Sequence, residues 1–300
     1  MTPFPIIDPH QHFWDLDANY LPWLSDEEPI AFRYGDYSAL KQNYLPSDYR
    51  TDAEGFDIAG TVYVEAEWDP TDPVGEARWV SELASAAGLP AAIVAQAWLH
   101  QEDAPETLAA LAEFPRVRGI RQKPAAAPTP ESARRGAPRS MDDPTFRDGF
   151  ARLEPLGLSY DLQTPWWHLD AALELARDFP KTQIILNHTG LPADRSPEGL
   201  DAWRQAMGAL ADAGNVALKI SGLGQPGQPW TTAANGPVVR DAISMFGTNR
   251  CMFASNFPVD GLCADFRTIF SGFMAITADM STDERRKLFY DNAMRIYRLA

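Results

Sequence analysis

Short hydrophobic runs rich in β-branched residues recur along the chain, each bounded by turn residues, and segments with helical spacing separate most of them. The runs predict eight strands, at residues 5–12, 58–68, 89–99, 117–123, 158–164, 183–189, 215–222 and 250–256. Helical spacing is found at residues 73–87, 104–113, 143–155, 168–179, 198–213 and 236–246. This alternation predicts parallel strands joined by right-handed crossovers.

Eight strand–helix units of this kind close into an α/β fold, a single (β/α)8 TIM barrel. We expect residues 1–300 to form one domain, because barrels of this length routinely do and no repeat or linker divides the chain. After the eighth strand, the capping-box pattern from Ser281 to Glu284 predicts a C-terminal helix that ends near Leu299.

Two connections are much longer than the others. Residues 13–50 follow the first strand and are rich in aromatic residues, prolines and acids, and residues 124–141 follow the fourth strand. Long loops of a barrel lie at the C-terminal ends of the strands, where such enzymes place their chemistry. Both loops are therefore expected to be walls or lids of a pocket, although a solvated surface excursion stays open as the alternative.

Polar side chains occupy alternate positions near the C-terminal ends of most predicted strands, where a purely structural core would be apolar. They are Glu65, Glu67, Gln96, Arg121, Lys123, Asp161, Gln163, Lys219 and Ser221. Burying an unpaired ion costs several kcal/mol, so we expect these charges to pair with one another, to bind a metal or to contact a charged ligand.

The five histidines of the chain include two at alternate positions of the first strand, His10 and His12. Residues i and i+2 of a strand face the same way about 6.6 Å apart, so both imidazoles can address one ion or one substrate. His188 ends the sixth strand and completes a predicted three-histidine cluster at the barrel mouth. Such a cluster suits zinc, which would acidify a bound water. Alternatively, the histidines polarise a carbonyl group without metal.

The charge and composition of the chain restrict the classes of molecule that it is expected to bind. The net charge of −15 and the pI near 4.7 argue against nucleic acid or an anionic membrane. Two cysteines cannot build a disulfide framework, and we find neither a basic–apolar leader nor an apolar run of about 18 residues. The sequence predicts a cytoplasmic protein that acts on a small molecule, and it leaves self-association open.

Five short motifs follow one another in a characteristic order: His10–His12, Gly119–Arg121, Asn187–Gly190, Lys219–Gly222 and Ser255–Pro258. Together they resemble the amidohydrolase superfamily, in particular the amidohydrolase-2 branch that contains sugar-acid lactonases and 2-pyrone-4,6-dicarboxylate lactonase. The resemblance implies a (β/α)8 hydrolase that opens a lactone or related carboxylic ester. It also implies that the strand 1 histidines and His188 form the catalytic centre.

One position departs from that family. Members usually carry an aspartate at the end of strand 8 that binds metal and moves protons, whereas this chain has Asn256. A carboxamide cannot act as a base near pH 7, and it removes one negative charge from a dication site. Candidate replacements are Asp260, Glu65, Glu67 and Asp161, and Asp260 could equally be a turn or helix-cap aspartate.

The predicted substrate is a small lactone that carries a carboxylate, because arginine and lysine side chains bind such groups. The cations expected to contact it are Arg121, Lys123, Lys219, Arg134, Arg135 and Arg139, with Glu65 and Asp161 as further contacts. Two other functions stay open. Related barrels include metal-dependent non-oxidative decarboxylases, and Asn256 would also suit a catalytically silent barrel that binds a sugar acid.

Overall fold

The structure, a computed structural model, describes residues 4–299. Its centre is one sheet of eight parallel strands in sequence order, and each strand pairs with the next. The strands are β1 Ile6–Gln11, β2 Ile58–Val64, β3 Ala92–Gln96, β4 Val117–Arg121, β5 Ser159–Leu162, β6 Ile184–Leu186, β7 Val216–Ile220 and β8 Cys251–Phe253. The eight predicted strands and the TIM-barrel fold are confirmed.

The segment that follows β8 brings the two edges of the sheet together. The backbone N–H of Asn256 donates to the carbonyl of His10, and the N–H of His12 donates to the carbonyl of Phe257, both at 2.8 Å. The barrel is therefore nearly closed, and its seam runs beside the first-strand histidines. The same bonds fix Asn256 next to His10 and His12.

Within residues 4–299 the helices surround the strands as in other (β/α)8 barrels. They are α1 Pro22–Ser25, α2 Pro46–Asp52, α3 Gly75–Ala87, α4 Ala104–Ala112, α5 Pro144–Phe150, α6 Leu169–Asp178, α7 Pro197–Ala211, α8 Thr232–Phe246, α9 Phe266–Ile276, α10 Thr282–Arg286 and α11 Asn292–Ile296. The Ser281 side chain accepts from the N–H of Glu284, so the predicted capping box is present. A π-helical turn at Lys287–Asp291 divides the predicted C-terminal helix.

Several predicted elements are shorter in the structure, and three helices, α1, α2 and α9, were not predicted. The strands predicted at 58–68 and 250–256 end at Val64 and Phe253. Glu67 and Asn256 have positive φ angles of 58° and 56°, a conformation that no strand accommodates. Helix α9 was not predicted from the hydrophobic pattern, although it packs a phenylalanine-rich face on the barrel.

The C-terminal helix closes one end of the barrel. Ala293, Ile296 and Tyr297 belong to a hydrophobic cluster with inward-facing strand residues such as Val62 and Val94, apart from the larger cluster between strands and helices. Because this plug fills the end where the strands begin, an accessible cavity inside the barrel has to open at the C-terminal ends of the strands. In the part of the chain described, no helix is long and apolar enough to cross a lipid bilayer.

The loop at 13–50 is a packed cap rather than a loose excursion. Its side chains stack on one another, with the rings of Trp23 and Phe32 nearly parallel at 5.7 Å between centroids and the rings of Trp14 and Trp23 edge to face at 5.8 Å. The indole N–H of Trp23 donates to the carbonyl of Ala66, just beyond β2, at 2.8 Å. This cap is therefore attached to the barrel mouth.

Candidate active site

A cavity of about 270 Å³ opens between the C-terminal ends of the strands and the 13–50 loop. One part of its wall is aromatic or aliphatic, and the other part is polar. The wall consists of His12, Trp23, Ile30, Ala31, Phe32, Arg33, Ala66, Glu67, Arg121, Lys123, Gln163, His188, Leu191, Asn256 and Val259. Six residues singled out from the sequence as catalytic or substrate-binding candidates therefore meet at this wall: His12, Glu67, Arg121, Lys123, His188 and Asn256.

The structure brings the three predicted histidines together. The imidazole ring of His10 lies 5.1 Å from that of His12 and 4.6 Å from that of His188, measured between ring centroids. His10 is fully buried behind the other two. The cluster thus joins the end of β1 to the end of β6 across the barrel.

His188 sits on a strained turn. The φ angles of His188, Thr189 and Leu191 are 53°, 58° and 55°, and left-handed conformations of this kind cost non-glycine residues free energy. Such strain concentrates at sites whose side-chain placement matters. The ring is held by a contact of 3.0 Å between Nδ1 and the Ser221 hydroxyl, on the segment after β7.

His12 and Asn256 present two hydrogen-bond acceptors side by side. The Nδ1 of His12 is 2.7 Å from the Val64 carbonyl, so it carries the proton and leaves Nε2 with a lone pair. That Nε2 lies 3.3 Å from Oδ1 of Asn256, whose Nδ2 donates to Asp260 Oδ1 at 2.7 Å. Burial, followed by the Arg121 guanidinium, lowers the pKa of His12 to about 3, so the ring is neutral near pH 7. A donor that bridges both acceptors satisfies the pair.

His10 is in a different environment. Its Nδ1 is 3.4 Å from Lys219 Nζ, and its Nε2 is 3.4 Å from Nη1 of Arg121. Burial, and then the charge of Lys219, depress the pKa of His10 well below its ordinary value. Burial also lowers the pKa of Lys219 to about 8, although Asp161 opposes that effect. Both ring nitrogens of His10 thus face cationic groups.

Charges at the barrel mouth occur in ion pairs. Each cation near the histidines lies against one carboxylate, so this part of the site is close to electrically balanced. The pairs are Arg33–Asp260, Arg121–Glu65, Lys123–Glu67 and Lys219–Asp161. The sequence patterns left open whether the strand-end charges pair, bind a metal or await a ligand, and pairing is what the structure shows. Lys219 and Asp161 are fully buried beneath His10 and do not reach the cavity wall.

Three arginines predicted to contact substrate lie elsewhere. Arg134 donates to carbonyls of its own loop, and Arg139 has its backbone N–H on Asp143. Arg135 forms surface ion pairs with three carboxylates, those of Asp142, Asp170 and Glu174. The 124–141 loop turns back on α5 and α6, so it does not bring these guanidinium groups to the cavity wall.

Asp260 holds several parts of the site in place. Its carboxylate accepts hydrogen bonds from Asn256 Nδ2, the Tyr34 hydroxyl, Arg33 and the backbone N–H of Gly222. Burial raises the pKa of Asp260, while these donors oppose the shift. Asp260 is not among the residues that line the cavity, and it contacts the lining through Asn256.

The 13–50 loop forms part of the wall, as the sequence predicts, but sequence reasoning did not identify which of its side chains face the cavity. Trp23, Phe32 and Arg33 line the cavity, and Tyr34 contacts Asp260 behind them. The density of aromatic residues in the loop was a signal for a pocket wall. No periodic pattern, however, indicates which side chains of an irregular segment face inward.

The donors do not fit a divalent metal centre made from the three histidines. In residues 4–299, no group of three or more histidine, cysteine, aspartate or glutamate side chains is placed to hold an ion. A dication beside His10 would meet the charges of Arg121 and Lys219, and Asn256 supplies no negative charge to balance it. The predicted zinc site therefore lacks the arrangement that it requires.

Comparison with known proteins agrees with the fold. The chain is 44% identical, over 100% of both chains, to the uncharacterized protein y4mH of Sinorhizobium fredii. It is 28% identical to L-fucono-1,5-lactonase of Burkholderia ambifaria, over 98% of this chain and 95% of that protein. Two crystal structures of an amidohydrolase from Burkholderia multivorans, one with bound HEPES and one with bound zinc, each superpose on this chain with a TM-score of 0.82. Their sequence identities to this chain are 25% and 24%, and each match covers 99% of this chain and 100% of the other. The amidohydrolase family model matches residues 7–299, so the chain belongs to this family of hydrolases.

Proposed function

We propose that this hydrolase opens a small lactone, the cyclic ester of a sugar acid, by attack of water on the ester carbonyl. The observation that carries the proposal is the pair of acceptors, His12 Nε2 and Asn256 Oδ1, at the wall of the cavity. Ester hydrolysis needs a water held and deprotonated beside the carbonyl carbon, and a neutral imidazole is the usual base. The similarity to L-fucono-1,5-lactonase supports the same class of substrate.

The attacking water donates one hydrogen bond to His12 Nε2 and one to Asn256 Oδ1. As its oxygen bonds to the carbonyl carbon, His12 takes the proton and the carbonyl electron pair moves to the carbonyl oxygen. Collapse of this intermediate breaks the ring C–O bond, and the imidazolium returns the proton to the departing ring oxygen. The product is an open hydroxy acid, and His12 is neutral again.

The remaining candidate residues support this step from their observed positions. His188, Arg121 and Lys123 lie at the wall. In the proposed complex these side chains contact the oxygens of the lactone. Asp260 orients the Asn256 amide, and His10 packs behind His12 and His188. Lys219 and Asp161 form the charged layer under His10.

Pairing of the cations favours a less charged substrate than the sequence suggested. Arg121 and Lys123 each have a carboxylate partner, so a dicarboxylate ligand would compete with Glu65 and Glu67. An uncharged polyhydroxylated lactone needs no such exchange, because its hydroxyl groups bond to both members of each pair. Its apolar ring face suits the aromatic wall formed by Trp23 and Phe32.

A metal ion has no step in this reaction. Zinc was predicted from the three histidines and is bound in one structure of the Burkholderia multivorans relative. Both nitrogens of His10 face cations in this chain. The side chains of the site therefore support general-base catalysis by an imidazole without a metal ion.

The test is turnover of lactones by the purified protein. We expect L-fucono-1,5-lactone and related aldonolactones to open faster than in buffer, measured as acid release in a weakly buffered indicator solution. Carbon dioxide release from an aromatic or unsaturated carboxylic acid without ring opening would instead indicate the decarboxylase reaction. Tight binding of lactones with no turnover would indicate the silent sugar-acid-binding barrel.

A further inference from the structure

The cavity wall holds an arginine that the sequence patterns did not single out. Arg33 belongs to the 13–50 loop and lines the cavity together with His188 and Asn256. Its Nη2 donates to Asp260 Oδ1 at 3.2 Å. Its Nη1 is buried and has no hydrogen-bond partner within residues 4–299. Buried donors are nearly always paired in folded proteins, so an unpaired one at a cavity wall indicates where a ligand oxygen is bound.

The guanidinium of Arg33 is held in a fixed position. It lies 4.5 Å from the ring centroid of Tyr34, and the hydroxyl of Tyr34 donates to the same Asp260 oxygen at 2.8 Å. Asp260 is itself tied to the end of β7 through the backbone N–H of Gly222 at 2.9 Å. A donor positioned before the reaction begins loses little free energy to reorganisation, which is the property of an oxyanion-stabilising group.

Gly222 shows how closely Arg33 approaches the histidine cluster. A β-carbon at this glycine would lie 2.7 Å from Cβ of His188 and 3.0 Å from Nη1 of Arg33. The two side chains therefore converge on one point of the wall, and only a residue without a side chain leaves room for both. After burial, the Arg33 guanidinium is the next cause that holds the pKa of His188 well below its ordinary value, which agrees with this proximity.

The other cations of the wall are more fully engaged. Arg121 contacts Glu65 through its side chain, and its Nη1 also lies 3.4 Å from Gln163 Oε1. Lys123 contacts Glu67. Arg33 also lines the cavity, but in the described part of the chain its Nη1 has no protein acceptor, whereas each guanidinium nitrogen of Arg121 has one.

We infer that Arg33 is a catalytic residue, whose Nη1–H donates to the ester carbonyl oxygen as that oxygen becomes an oxyanion. The inference rests on the lactone hydrolysis proposed above and names the group that stabilises its intermediate. When the water oxygen bonds to the carbonyl carbon, the carbonyl π pair moves to the oxygen facing Arg33. When the ring C–O bond breaks, the carbonyl reforms, and Arg33 keeps its protons throughout.

Kinetics of Arg33→Ala and Arg33→Lys test this role against a matched control. Arg147 on α5 is similarly placed: it pairs with Asp178, stacks on the Phe179 ring and has 23% of its side chain exposed, against 26% for Arg33. We expect Arg33→Ala to lower kcat by about 100- to 1,000-fold with little change in KM, because an oxyanion donor acts only in the transition state. Arg147→Ala is expected to keep wild-type kinetics.

Added guanidinium ion distinguishes a chemical role from a structural one. Millimolar guanidinium is expected to restore part of the Arg33→Ala activity and to leave Arg147→Ala unchanged. A kcat within about threefold of wild type, or a loss confined to KM and melting temperature, overturns the inference while the lactonase proposal stands. If wild type and Arg147→Ala both fail to open any lactone, the proposed function fails, and the role of Arg33 fails with it.

Discussion

The hydroxyl of Tyr297 donates a hydrogen bond to the carboxylate of Asp161 at 3.0 Å, although 136 residues separate them in the chain. The same carboxylate is paired with Lys219, whose Nζ lies 3.4 Å from Nδ1 of His10. These contacts form a continuous column from the C-terminal helix through the barrel interior to the histidine cluster. Tyr297 thereby fixes the charged layer beneath the cavity.

Replacement of this tyrosine by phenylalanine removes the hydroxyl and keeps the ring. Tyr297→Phe leaves the buried Asp161 carboxylate with one donor fewer, so we expect the free energy of unfolding to fall by about 1–3 kcal/mol. Urea unfolding followed by circular dichroism measures this change. Tyr290→Phe is the control, because that hydroxyl has no hydrogen bond within residues 4–299 and its ring is only partly buried. Equal stability of both variants would contradict the role of the column.

Exchange of the amide and the carboxylate at the mouth tests the Asn256–Asp260 pair. Asn256→Asp places a second carboxylate where Nδ2 donates to Asp260 at 2.7 Å, and like charges at this distance repel. We expect the single variant to lose activity and melt at a lower temperature. The double variant Asn256→Asp/Asp260→Asn restores a donor and an acceptor, and its melting temperature is expected to recover. A gain of activity in the single variant would favour the silent-barrel interpretation.

The pH–rate profile follows from the environment of His12. Because burial and the Arg121 guanidinium lower its pKa to about 3, the imidazole stays neutral well below the range in which free histidine gains a proton. We expect kcat/KM to be flat from about pH 8 down to about pH 5, where an ordinary histidine base with a pKa near 6.5 would already have lost most of its activity. An acidic limb centred near pH 6.5 would contradict this assignment.

Glu76 on α3 gives a pH dependence of stability that is separate from the histidines. It accepts from the Tyr63 hydroxyl at 2.8 Å and from the N–H of Ala66 at 2.7 Å. Burial, and then the Glu65 carboxylate, raise the pKa of Glu76 from its ordinary value of 4.5 to about 8. The folded state thus holds a proton that the unfolded chain has released, and its stabilising effect is complete below pH 4.5 and lost as the pH rises to about 8.

Glu76→Gln removes this titration and preserves the shape of the side chain. Between about pH 5 and pH 8, we expect wild type to lose stability relative to the glutamine variant as the pH rises. Urea unfolding of both proteins at several pH values measures the difference between their free energies of unfolding. Titration of the histidines affects both proteins equally and cancels in this difference. A difference that does not change with pH would show that Glu76 is ionised in the folded protein.

Features that depend on periodicity were predictable from the sequence. Alternating hydrophobic runs gave the eight strands, and because parallel strands all end on one face of a barrel, the histidines of β1 and β6 could be expected to meet there. The same alternation put Glu65, Glu67, Arg121 and Lys123 on inward-facing positions. It could not give the pairing of Arg121 with Glu65 and of Lys123 with Glu67, because β2 and β4 are not neighbours in the sheet and their side chains meet only across the interior.

Irregular backbone accounts for what the sequence did not reveal. The 13–50 loop brings Arg33 and Tyr34 to Asp260. Its path could not be predicted, because an irregular segment shows no periodic pattern of hydrophobic residues. The left-handed conformations of His188 and Asn256 are imposed by the surrounding structure against local preference. Arg134, Arg135 and Arg139 were assigned to the site on their charge and on the position of their loop after the fourth strand, and the fold of that loop keeps them away from the cavity wall.

The most direct test of the account compares wild type with His12→Ala in the hydrolysis of L-fucono-1,5-lactone, after both proteins have been treated with a chelator and dialysed. We expect wild type to remain active, because its base is the imidazole of His12, and the alanine variant to lose at least about 100-fold in kcat/KM at unchanged secondary structure. Equal rates for the two proteins, or activity that disappears on chelation and returns with zinc, would contradict it.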